Sequence, residues 1–266
     1  MLAVITGATS GIGKKMSEYL FENGWNLVLT GRNEEVLAGL EKKYGGKAET
    51  IALDMSVESD VCKLYDFCRE KDVDLLVNNA GFGIFGEFEK TDLKKEIELI
   101  NVNVKAVHIL TKLFLQKFCK KNKGIILNVA SSAGFLPGPL LSSYYASKNY
   151  VTSMTLAINE ELRRKKSNVK ICMLCPGPVD TEFNNRAGVV FSVKPISAEY
   201  AAKYAVDKAL KGKTIIVPGT MIKLGVAFSK FVPKKLLCKV IYNIQKKKLK
   251  QLWKRSGSNK KFNNKL

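Results

Sequence analysis

Leu2-Ala3-Val4-Ile5-Thr6 runs directly into Gly7-Ala8-Thr9-Ser10-Gly11-Ile12-Gly13, and this junction decides how the rest of the chain is read. Five residues suited to a buried strand lead into three glycines spaced Gly-x-x-x-Gly-x-Gly. The helical pattern of 12–23 follows at once. Glycine lets the backbone turn tightly and approach a phosphate closely. The start of a helix offers free N–H groups and a positive dipole end. A strand, a glycine turn and a helix in this order predict a site for the pyrophosphate of a dinucleotide.

Working outward, the same grammar repeats. Apolar runs fall at 2–6, 25–30, 48–53, 73–77, 124–129, 169–175 and 214–217. Several are continuous rather than alternating, as expected of parallel strands covered on both faces. Between them lie helix-length segments at 12–23, 34–44, 57–70, 93–120, 143–165 and 198–211. This alternation predicts an α/β fold, a Rossmann-type doubly wound parallel sheet of about seven strands with helices on both faces. No composition break occurs before about residue 220. The expected organisation is one nucleotide-binding domain over 1–220, a helical extension over 221–255 and a disordered tail over 256–266.

The second strand ends Val28-Leu29-Thr30-Gly31-Arg32-Asn33. An acidic residue there would bind the ribose 2′-hydroxyl of NAD. Arg32 instead suits a 2′-phosphate, which predicts NADP(H) ahead of NAD(H). Asp54, after the third strand, is placed either to meet the adenine or to cap the next helix, with Ser56 competing for the cap. Tyr144 and Lys148 stand four residues apart, one above the other on a helix face. An ammonium beside a phenol of ordinary pKa ~10 favours the phenolate and suits the pair to proton transfer.

Taken together, Thr6-Gly7-x-x-x-Gly11-x-Gly13, Asn78-Asn79-Ala80-Gly81, Asn103, Ser131, Tyr144-x-x-x-Lys148 and Pro176-Gly177-Pro178-Val179-Asp180-Thr181 resemble the classical short-chain dehydrogenase/reductase family, in that family's order. Phe82-Gly83-Ile84-Phe85-Gly86 and Pro137-Gly138-Pro139 further resemble a bacterial-type, DltE-like subgroup. The resemblance implies hydride transfer between nicotinamide and a carbonyl or secondary alcohol. It implies Asn103, Ser131, Tyr144 and Lys148 as catalytic residues. Tyr144 would donate the proton, and Lys148 would lower its pKa and bond the nicotinamide ribose. Ser131 would bind the carbonyl oxygen, with Ser132 shaping the pocket, and Asn103 would hold a water leading from Lys148. The cofactor would lie on Gly7, Thr9, Ser10, Gly11, Ile12, Gly13, Arg32, Asp54, Met55, Asn79, Ala80, Gly81, Tyr144, Lys148, Pro176, Gly177, Val179 and Thr181. Family members are commonly homodimers or homotetramers, which is the expectation here. A non-catalytic NADP-binding scaffold or redox sensor is the alternative, and an intact Ser/Tyr/Lys set argues against it.

The 266 residues carry a net charge of +20, unevenly placed. Residues 208–266 hold 17 basic residues and no acidic one. Over 233–255, Leu236, Leu237, Val240, Ile241, Ile244, Leu252 and Trp253 recur at helical spacing among lysines. This is a basic amphipathic helix. It suits either contact with an anionic membrane surface or packing on the domain or a second subunit. No aromatic pattern supports a nucleic-acid partner. The apolar segments 188–193 and 221–231 are expected to flank a lipophilic substrate. The chain begins directly in its first strand, so no signal peptide is expected and the protein is read as cytoplasmic, with or without peripheral membrane contact. Cys172 and Cys175 lie within an apolar run and read as buried strand cysteines, with no metal site expected. His108 reads as a helix-surface residue.

Overall fold

The computed structural model describes residues 1–181, 195–229 and 231–247. Seven parallel strands form one sheet in the order β3-β2-β1-β4-β5-β6-β9. They are β1 Leu2–Thr6, β2 Asn26–Gly31, β3 Ala48–Ala52, β4 Leu75–Asn78, β5 Ile125–Val129, β6 Lys170–Leu174 and β9 Ile215–Ile216. The parallel register runs Val4↔Val28, Val4↔Leu76, Asn78↔Asn128 and Asn128↔Met173. A two-residue pair, β7 Val179–Asp180 with β8 Ile196–Ser197, was not foreseen; two residues give no readable alternation.

Neighbouring strand residues point to opposite faces, and both faces are buried. Ala3, Ile5, Leu27, Leu29, Leu75 and Val77 join one core. Helices α1 (Gly11–Glu22) and α2 (Glu34–Tyr44) cover that core, together with α7 (Ala198–Leu210). Val4, Val28, Leu76, Ile126 and Ile171 join the other. It lies under α3 (Glu58–Phe67), α5 (Val107–Lys121) and α6 (Ser142–Arg164). This is why the strands read as unbroken apolar runs. Each run buries both of its sides.

The segment 93–120 is not one regular helix. Helix α4 (Leu93–Ile100) passes through a π-helical turn, Asn101–Ala106, into α5. The wider turn holds Asn103 fully buried, where its side chain can meet the end of β4. Such turns often mark functional positions.

A chain of buried amides crosses the sheet. Asn78 Nδ2 donates to Asn128 Oδ1 at 2.9 Å and to Thr111 Oγ1 at 3.1 Å, and Asn128 Nδ2 donates to Thr155 Oγ1 at 3.0 Å. At the carboxyl ends of the strands, Thr6 joins two loops. Its hydroxyl accepts from the backbone N–H of Asn79 and of Ala80, each at 3.0 Å. The chain leaves β1 toward β2 and returns at β4 on the other side of β1, so the loops after β1 and β4 part and leave a crevice.

The C-terminal part folds back on this end of the sheet. Helix α8 (Thr220–Ser229) packs Ile222 beside Val217 and Met173. A further helix, α9 over 234–247, buries Ile241 and Gln245. Only part of its apolar face is satisfied this way: Leu236, Val240 and Ile244 stay exposed. Leu252, Trp253, the tail over 256–266 and the segment 188–193 lie outside the described residues.

Candidate active site

The glycine turn is built for an anion. Gly7 and Gly11 take φ of +65° and +54°, which side chains rarely adopt. Ser10 is the N-cap of α1, yet its side chain makes no capping bond, and the first turn holds no acidic residue. The N–H groups and positive end of α1 thus face the crevice. Asn79 Nδ2 pins the turn from the other side, donating to Thr6 O at 2.9 Å and Gly7 O at 3.1 Å. A Cβ on Gly13 would lie 2.3 Å from Asn79 Nδ2 and 2.5 Å from Gly7 O. Gly13 therefore lets α1 close onto these residues and does not line the crevice, contrary to its expected place among the contact residues.

The crevice holds ≈ 1030 Å³. Gly7, Thr9, Ser10, Gly11, Ile12, Arg32, Asp54, Met55, Asn79, Ala80, Gly81, Pro176, Gly177, Val179 and Thr181 all line it, with Tyr144 and Lys148. These residues fit a dinucleotide along the carboxyl edge of the sheet. At one end Arg32 stands 3.3 Å from Glu98 and 3.8 Å from Asp54. Asp54 does not cap α3. Its carboxylate accepts from Ser56 N–H at 2.8 Å, and the N-cap is Val57, whose side chain has no acceptor. Lys95 and Glu98, one turn apart on α4, also line this end. Neither was foreseen, because only the fold brings α4 beside the end of β2.

At the other end Tyr144, Tyr145, Phe85 and Leu141 form an apolar cluster. Lys148 is buried to 5% exposure, and its Nζ lies 5.9 Å from the Tyr144 ring centre. It donates to Val129 O at 2.8 Å. Burial pushes the Lys148 ammonium down to about 8. Burial pushes the Tyr144 phenol up to about 12, and a hydrogen bond with Ser131 offsets this only in part. The expectation that Lys148 sets a low Tyr144 pKa is therefore corrected. Desolvation is the largest cause, and the Lys148 ammonium directs one of its three protons at the Val129 carbonyl.

Ser131 and Ser132 divide their tasks. Ser131 begins the short 3₁₀ turn Ser132–Phe135, accepting from Ala133 N–H at 3.1 Å, and bonds Tyr144. Ser132 lines the crevice, and Ser131 beside it is 9% exposed. Asn103 is fully buried. Its Nδ2 donates to Phe82 O at 2.9 Å and Ser147 Oγ at 3.1 Å, and its Oδ1 accepts from Phe82 N–H at 3.1 Å. These bonds hold the side-chain amide in place, and its Oδ1 keeps a second lone pair. Asn103 fixes the loop after Gly81, whose α-carbon faces both Asn103 Oδ1 and Lys148 Nζ.

Cys172 in the middle of β6 and Cys175 just past its end are buried, and burial pushes both thiols up to about 12. His108 is exposed on α5, its Nδ1 2.6 Å from the Tyr150 hydroxyl.

The model of the short chain dehydrogenase family matches residues 1–188. The chain belongs to that family. This short-chain dehydrogenase is 36% identical over 171 residues to the very-long-chain 3-oxoacyl-CoA reductase of Rattus norvegicus, across 61% of the chain and 55% of that relative. It thus spans about half the length of that relative. Among solved structures it resembles a short-chain dehydrogenase from Sphingobium yanoikuyae in complex with NADPH, with TM-score 0.75 and 26% identity over 82% of this chain and 88% of that one. It likewise resembles a short-chain dehydrogenase/reductase from Burkholderia phymatum in complex with NAD, with TM-score 0.77 and 27% identity over 85% and 91%.

Proposed function

We propose that this short-chain dehydrogenase reduces a lipophilic ketone with NADPH, and that a 3-oxoacyl thioester is the substrate class to try first. One observation carries the reading: Tyr144, hydrogen-bonded to Ser131, and Lys148 share one face of α6 on the wall of a crevice that begins at an open helix N-terminus. The cofactor supplies the hydride. Tyr144 holds its proton firmly, as suits a donor to an oxygen that gains charge. Ser131 orients that hydroxyl and offers a second hydrogen bond. Lys148 keeps a positive charge beneath the pair at neutral pH, since its pKa of about 8 lies above 7.

Arg32 and the absence of an acid at the end of β2 support NADPH over NADH. The apolar cluster around Phe85 and Leu141 and the name of the rat relative support an acyl substrate. The stretches 82–86 and 137–139 support placement in the bacterial-type subgroup. The test is consumption of NADPH and of NADH with 3-oxoacyl thioesters of rising chain length and with small polar ketones. Turnover that grows with chain length and prefers NADPH is expected. No turnover with any thioester, or a preference for NADH, would overturn the reading.

A further inference from the structure

The basic charge of the C-terminal part takes no role in the crevice, yet part of it sits on two helices beside it, α9 lining it through Gln245 and α8 abutting Gly177. Helix α8 turns Ile222 inward, where its side chain abuts Gly177, and buries Val226. Its other side presents Met221, Leu224 and Phe228, exposed to 77%, 70% and 71%, and Phe231 follows at 84%. Helix α9 repeats the plan. Ile241 and Gln245 point inward, while Leu236, Val240 and Ile244, four residues apart, stay exposed along one stripe. Lys223, Lys234, Lys235, Lys239, Lys246 and Lys247 are all exposed on the same two helices.

Large apolar side chains gathered outside a core mark a surface that meets something. A second copy presenting the same face would bring lysines against lysines, with no acidic residue anywhere in 208–266 to answer them. A nucleic acid would answer the lysines but leave leucines and phenylalanines in water. An anionic bilayer answers both at once, with a hydrocarbon boundary for the apolar side chains and headgroups for the ammonium groups. Among the described residues no helix is long and apolar enough to cross a membrane, so the contact is peripheral. We propose that the outer faces of α8 and α9 dock on an anionic lipid surface. The proposal does not depend on the reaction assigned to the site.

The test is flotation of the full chain with phosphatidylcholine vesicles, with and without phosphatidylglycerol, at low and high salt. Binding only to the phosphatidylglycerol vesicles, weakened by salt, is expected. Leu224→Gln/Phe228→Gln should lower partitioning roughly tenfold or more. Lys234→Gln/Lys235→Gln/Lys239→Gln should do the same. Both variants should keep the wild-type melting temperature, since every altered side chain is exposed. A wild-type chain that stays unbound, or variants that float as it does, would overturn the proposal. A dimer that Leu224→Gln/Phe228→Gln dissociates, without flotation of the wild type, would also overturn it and assign the face to self-association.

Discussion

Gln245 Nε2 donates to the Tyr145 hydroxyl at 3.3 Å, joining α9 to the residue beside Tyr144 across 100 positions of sequence. The bond is long, and among the described residues nothing hydrogen-bonds the buried Gln245 Oε1. An orphaned acceptor of this kind costs about 1–3 kcal/mol, more than a long neutral bond returns. Gln245→Leu should therefore leave stability unchanged or raise it, by denaturant titration. It should raise KM for a substrate bearing an N–H or O–H near its carbonyl and leave KM for a bare ketone unchanged. A stability loss above about 2 kcal/mol would show that the amide is structural instead.

Tyr144→Phe should lose about 10²–10⁴-fold in turnover while keeping cofactor affinity, because it removes one proton donor and leaves the ring that lines the crevice. Ser131→Ala should fall in turnover too, since it frees the Tyr144 hydroxyl. Ser132→Ala should change turnover far less. Equal losses for both serines would contradict the geometry, and steady-state kinetics with cofactor titrations would tell them apart.

At the other end of the crevice, Glu98 competes with any phosphate for Arg32. An exposed ion pair is worth about 1 kcal/mol or less. Glu98→Gln should thus tighten NADPH binding by up to about fivefold and leave NADH nearly unaffected. Arg32→Ala should weaken NADPH by roughly tenfold or more. Fluorescence titration of both nucleotides reads this directly, and parallel changes for NADPH and NADH would remove Arg32 from the 2′-phosphate site.

Alkaline pH should destabilise the fold through buried thiols. Cys68, Cys172 and Cys175 are each raised from 9.0 to about 12 by burial. Above pH ~9 the unfolded chain releases these protons and the folded chain does not, so stability present below 9 is lost as pH rises toward 12. Each thiol contributes a slope of about 1.4 kcal/mol per pH unit. Lys148 and Lys117, both lowered by burial, work the other way, while Tyr44 and Tyr144, raised from 10.0 to about 12, add to the thiols above pH 10. Cys172→Ala should flatten the decline in urea midpoint from pH 9 to 11. An unchanged slope would mean that the thiol titrates normally.

The sheet and the crevice were legible for a shared reason. Val4, Leu76, Ile126 and their neighbours bury both strand faces, so seven runs stood out from the helices between them. The glycine turn, Tyr144 and Lys148 carry their meaning in local spacing. What escaped was set by contacts distant in sequence. The π turn at Asn101–Ala106 shifts the helix register without disturbing its apolar period. Lys95 and Gln245 reach the crevice only after α4 and α9 are laid against it. The pKa of Tyr144 depends on burial, to which a spacing of four residues is blind.

The buried amides of Asn78 and Asn128 make the alignment of two strands an all-or-none matter. Sliding β4 one residue along β5 would strand the Asn78, Asn128, Thr111 and Thr155 side chains together, at about 1–3 kcal/mol for each unmet group. Gly81 and Ser131 each lie three residues beyond these asparagines, so the same lock sets both at matching heights on the sheet edge. The precision of the reacting end of the crevice is thus fixed in the interior of the sheet.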